Sequence, residues 1–128
     1  MKKATFILLI GLGFASCKDE MNIDYVIENA SQESIFVKGE DQLKGESIDV
    51  EIGANQDMVI ANYYDKDKEV TAYEPKVVLG CEMIVTNASG DTMTTLYTDE
   101  SIWQKTKSKD GDDTDITYSL FLTESDFQ

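Results

Sequence analysis

The sequence predicts an all-β fold, an immunoglobulin-like antiparallel β-sandwich of about seven strands. Three observations lead there. Short runs alternate polar and apolar residues, the pattern of a strand with one wet and one dry face. Clusters rich in Gly, Asn, Asp and Ser separate these runs at intervals of about 8–14 residues. No stretch of about 11 residues or more keeps a helical period of 3.6.

The elements follow in order. Ile23, Tyr25 and Ile27 share a parity, with Asp24 and Glu28 on the other. Ser34–Lys38 is a short second strand. Ser47-Ile48-Asp49-Val50-Glu51-Ile52 alternates without a fault. Met58–Tyr64 follows after the turn residues Gly53-Ala54-Asn55. Asp65–Lys76 is polar, holds the lone Pro75, and is long enough to cross between sheets. Leu79, Cys81, Met83 and Val85 share a parity, and Asn87–Asp91 reads as a hairpin turn into a strand at Thr92–Thr98. Lys109-Asp110-Gly111-Asp112-Asp113 is a further turn. Ile116, Tyr118, Leu120 and Leu122 define the last strand.

Composition limits the function. The chain has 11 lysines, no arginine, no histidine and 25 acids, for a formal charge of −14. Without histidine there is no Ser-His-Asp triad, no Cys-His pair and no His-ligated zinc. The acidic balance argues against nucleic acid, whose phosphates it repels. So many acids make any carboxylate pair uninformative, and a small sandwich offers little cleft. The chain is read as non-enzymatic, with no cofactor.

Residues 1–16 have the layout of a secretory signal. Lys2 and Lys3 are the positive segment, Phe6–Phe14 the apolar one, and Ala15-Ser16 are small. An apolar run this short does not span a bilayer, which takes about 20 residues. Phe14-Ala15-Ser16-Cys17 resembles a bacterial lipobox, although Phe14 stands where an aliphatic residue is usual. The resemblance implies cleavage before Cys17 and acylation of its thiol. Removing 16 of 128 residues leaves 112. Losing Lys2 and Lys3 moves the charge from −14 to −16. Buried methylenes contribute about 0.8 kcal/mol each, so two or three acyl chains anchor firmly. Residues 17–22 are then a charged tether and 23–128 the sandwich.

Lys18-Asp19-Glu20 resembles the export signal of Bacteroidota surface lipoproteins. The Tyr25-Val26-Ile27-Glu28-Asn29 strand end and the Tyr118–Phe127 close are similar to small lipoproteins of that group. The resemblance implies an outer-membrane, surface-exposed location and a sandwich fold. It brings no activity with it. The expected role is an interaction or accessory module held to the membrane through lipid on Cys17, meeting another surface protein or a glycan. The alternative is a binder of glycan or calcium beside a nutrient-uptake system.

Three candidate sites follow. Trp103 with Tyr63 and Tyr64, and with Tyr73 and Tyr97 nearby in composition, could stack on sugar rings. The alternative for Trp103 is a core plug between sheets. Asp110, Asp112, Asp113 and Asp115 offer oxygen ligands on a Gly-containing loop, as calcium prefers. They lack the EF-hand spacing, since Gly is second and the twelfth position is Phe121. Asp65–Glu69 alternates signs and is a weaker metal candidate. Cys81 reads as a small buried hydrophobe, with no histidine to activate its thiol.

Overall fold

The computed structural model describes residues 20–65, 73–80, 82–94 and 97–127. Among the described residues seven strands form two packed sheets, as the alternating runs predict. They are β1 (Met21–Asn29), β2 (Ile35–Asp41), β3 (Glu46–Ile52), β4 (Asp57–Asp65), β5 (Ile84–Asn87), β6 (Trp103–Asp110) and β7 (Asp113–Leu122). The larger sheet has the order β4-β1-β7-β6, the smaller β3-β2-β5. The chain crosses between sheets four times: after β1, after β3, between β4 and β5, and between β5 and β6.

One part of the expectation is corrected. The sheets are not wholly antiparallel, because β1 and β7 run parallel over nine residue pairs, from Met21↔Thr114 to Asn29↔Leu122. Strand order also departs from the immunoglobulin arrangement, although the two-layer architecture is shared. Here the first strand lies inside a sheet, between the fourth and the last.

That placement explains the burial. Ile23, Tyr25, Ile27 and Asn29 of β1 all face inward and are buried. Thr114, Ile116, Tyr118, Leu120 and Leu122 do the same from β7. Tyr25 and Tyr118 are register partners and stack with ring centroids 5.5 Å apart and planes 4° apart. The Tyr25 hydroxyl donates to the Tyr73 carbonyl, so the one polar atom of this ring is satisfied in the core. Burial and the neighbouring rings push its pKa well above the usual tyrosine range. Ile35, Val37, Ile48, Ile52 and Val85 supply the facing layer.

Three local departures have physical causes. The register of β1 with β4 shifts between Tyr25 and Val26, so Tyr25 faces Ala61 and Val26 faces Val59. This bulge turns both Ile60 and Ala61 into the core, where a regular strand buries only one. Leu79 does not share a strand with Val85, and Met83 precedes β5. Leu79 ends a five-residue helix, α1 (Pro75–Leu79), with Pro75 in its first turn. Gly80 then turns the chain at φ 63°. Of the expected strand at Thr92–Thr98, residues 95 and 96 lie outside the described residues, and the described ones form only two isolated bridges, Thr86↔Thr92 and Met93↔Phe127. In its place stands β6, which alternation does not mark.

Asn29 closes the end of β1. Its amide donates to the carbonyls of Glu33, Ile52 and Gly53 at 2.8, 3.0 and 3.0 Å. Its Oδ1 accepts from the Ser31 backbone N–H at 3.0 Å and the Ser31 hydroxyl at 2.7 Å. One buried side chain thus ties β1 to the β3–β4 turn and to its own exit loop.

Asn29→Asp tests this tie. The substitution sets a carboxylate against three carbonyls, which favours its neutral form and raises its folded pKa. The penalty therefore appears above the unfolded value of about 3.9 and grows as pH rises. Chemical denaturation is expected to show a loss of about 3 kcal/mol at pH 7 and a smaller one at pH 4. Equal losses at the two pH values would contradict the donor role.

Candidate functional site

The expected aromatic platform is not assembled. Trp103 opens β6, pairs with buried Leu120, and is 6% exposed. Its Nε1 donates to the Tyr97 carbonyl at 2.6 Å. Tyr97 is also buried, and its hydroxyl accepts from the Met83 N–H at 2.8 Å. Trp103 is therefore a core plug whose indole N–H is satisfied. Tyr63 and Tyr64 are adjacent on β4 and so point to opposite faces. Tyr63 faces inward opposite Ile23, meets Tyr73 edge-on at 5.5 Å, and is capped by Lys44 Nζ at 5.8 Å. Tyr64 faces outward and is 47% exposed. Besides this, β4 and β6 are opposite edges of their sheet, about 14 Å apart at the usual strand spacing.

The acidic loop is a hairpin tip. Asp110 faces Asp113 across the β6–β7 turn, with Gly111 and Asp112 between them. Gly111 has φ 61° while Asp112 has no positive φ, which defines a type II′ turn and requires glycine first. Asp110, Asp112, Asp113 and Asp115 are all exposed. Among the described residues no three His, Cys, Asp or Glu side chains gather to hold a metal ion. Cys17, Lys66–Glu69 and Cys81 lie outside the described residues.

Among the described residues the fold joins the carboxyls of Glu74 and Glu100. Glu74, before α1, shares a hydrogen bond with Glu100. Lys76 Nζ lies 2.6 Å from Glu100 Oε1. The bond to Glu100 raises the pKa of Glu74, and the bonds from Glu74 and Lys76 lower that of Glu100. Two carboxyls in direct contact are closer than the spacing of about 5 Å or more that glycoside hydrolysis uses. The cluster instead fastens the crossover helix to the turn before β6.

A different surface stands out at the far end of the larger sheet. Asp57, Glu28 and Phe121 are neighbours across β4, β1 and β7. Phe121 is 60% exposed, and Val59, opposite Val26, is 49% exposed. Glu28, Asn29, Asn55, Asp57 and Phe121 line an open cavity of about 510 Å³. Opposed like charges on adjacent strands are unfavourable, so Glu28 and Asp57 do not serve stability here. Alternation in the last strand hides this patch, because Phe121 reads there as one more apolar residue among Leu120 and Leu122.

The start of β1 sits at the opposite end. Met21 begins β1 beside Thr114 and Asp65, and the Glu20 carbonyl accepts from the Thr114 N–H at 2.8 Å. The two ends of β1 lie about 26 Å apart. No helix among the described residues is long and apolar enough to cross a membrane. Comparison of the chain with family models, curated proteins and solved structures finds no match.

The Glu74–Glu100 pair gives a direct check. Titration followed by carboxyl carbon NMR shifts is expected to place Glu74 above the ordinary glutamate value of 4.5 and Glu100 below it. Glu74→Gln should leave Glu100 as the single titrating member of the pair. Ordinary midpoints for both residues would show that the pair does not form in solution.

Proposed function

We propose that the chain is a lipid-anchored lipoprotein of the outer membrane or cell surface, and that its sandwich is a non-enzymatic interaction module. The reading is carried by one geometric fact. The segment leading back to Cys17 leaves the sandwich at the Met21 end, and the exposed Phe121–Val59 surface with its acidic rim lies at the other. A lipid on Cys17 is only four residues from Met21. The membrane then lies against the β6–β7 hairpin end, and the Phe121 surface points away from it. The register of charged, apolar and small residues before Cys17 supports the anchor.

Burial of Trp103 weighs toward protein contact rather than stacking on glycan. An apolar patch rimmed by polar groups is the usual mark of a contact surface. Glu28 and Asp57 beside Phe121 favour a partner that brings a cation next to an apolar group.

Cys17→Ala tests the anchor. The native chain is expected to take up labelled fatty acid and to enter the detergent phase on phase separation. The variant should incorporate none and stay in the aqueous phase or remain uncleaved. Unchanged partitioning of a cleaved, unlabelled variant would overturn the lipoprotein reading.

A further inference from the structure

β6 has two dissimilar sides. Lys105, Lys107 and Lys109 lie opposite Tyr118, Ile116 and Thr114. Those three partners are buried, so the lysines stand on the core side of the sheet. All three are nonetheless exposed. Their exposure sets the lysine stems along the margin of the core with the charged heads toward solvent, Lys105 also lying within electrostatic reach of Glu74. Lys105 Nζ is 5.6 Å from the centroid of the Tyr118 ring. The other side of β6 carries Gln104, Thr106, Ser108 and Asp110 and no cation. Successive lysines are about 6.8 Å apart in one row. A chain of net charge −14 with 11 lysines thus concentrates three of them on one strand of eight residues.

The strand is also half unpaired. Among the described residues only β7 pairs with β6, which ends its sheet. A free edge presents a row of backbone donors and acceptors to any strand that fits. The lysines decide which strand that is. A second copy of β6 would bring lysine against lysine, which is unfavourable across strands. A strand with acids at alternate positions would complete the backbone ladder and set a carboxylate opposite each ammonium group. Strand addition works in this way, with main-chain bonds giving affinity and alternate side chains giving specificity. A continuous polyanion would use only the ammonium groups, and it would meet Asp110, Asp112 and Asp113 at the end of the row.

We propose that β6 is a docking edge for an extended acidic segment of another protein, with alternate carboxylates facing Lys105, Lys107 and Lys109. The proposal goes beyond the interaction-module reading by naming a partner chemistry, and it does not depend on lipid at Cys17.

The test uses the full chain in nonionic detergent and fluorescent peptides read by anisotropy. One peptide alternates Glu and Thr; its control has the same composition with Glu in one block. The alternating peptide is expected to bind at least about tenfold more tightly. It should also shift the amide resonances of Trp103–Asp110 in the native protein. Joint Lys105→Gln, Lys107→Gln and Lys109→Gln should lose at least about tenfold in affinity, and the corresponding three Lys→Arg changes should keep it. Equal affinity for the block peptide, or tighter binding of a sulfated polysaccharide, would overturn the proposal in favour of charge alone. So would an absence of peptide binding. Self-association of the native chain through β6, seen by sedimentation, would overturn it by making a second copy the occupant.

Discussion

The parallel pairing of β1 with β7 is the constraint on which the rest of the structure depends. It places the first strand inside the larger sheet, where both its edges are hydrogen-bonded. Buried on one face and paired on two edges, β1 can carry Tyr25 at the centre of the core, stacked on Tyr118. It also brings residues about 90 positions apart in sequence into direct register. Closure of such a distant pair is entropically costly until neighbouring strands reward it. The fold is therefore held by the pairing of β1 with β7, and Asn29 fixes the exit of β1 against the β3–β4 turn.

The same pairing sets what the molecule shows to its surroundings. Because β1 and β7 run the same way, the beginnings of both lie at one end, with the acidic β6–β7 hairpin tip. Their ends lie together at the other, with Phe121, Glu28 and Asp57. Because β7 has β1 on one side, β6 is left as the margin of a four-stranded sheet facing a three-stranded one. The uneven layers leave the lysine row uncovered. Two surfaces of opposite charge follow from one topological choice, an acidic apolar end and a basic edge.

Much of the fold was legible because burial on one face leaves a period of two. β1, β3 and β7 show it plainly, and each lies where the strand runs predict. β6 was not legible, since its sequence WQKTKSKD is polar at both parities. The cause is physical: past Trp103 no second layer covers it, so nothing demands apolar residues. Leu79 kept the parity of Met83 and Val85 by coincidence across Gly80, and five residues are too few to display a helical period. Periodicity shows which face of a strand is buried and not which strand lies beside it, so the parallel pair was out of reach. At the candidate site, Trp103 could be read as a platform or a plug from its type alone. Only its neighbours Leu120 and Tyr97 decide that it is a plug.

The parallel register is the central claim and is directly measurable. Spin labels would be placed on outward-facing positions, as Asn22→Cys with Asp115→Cys and as Asn22→Cys with Phe121→Cys. Parallel pairing predicts strong dipolar broadening for the first pair, which are register neighbours. The second pair should lie about 20 Å apart, six residues along the strand. A long distance for 22–115 with a short one for 22–121 would mean that β7 runs the other way, and the account of both ends of the molecule would fall with it.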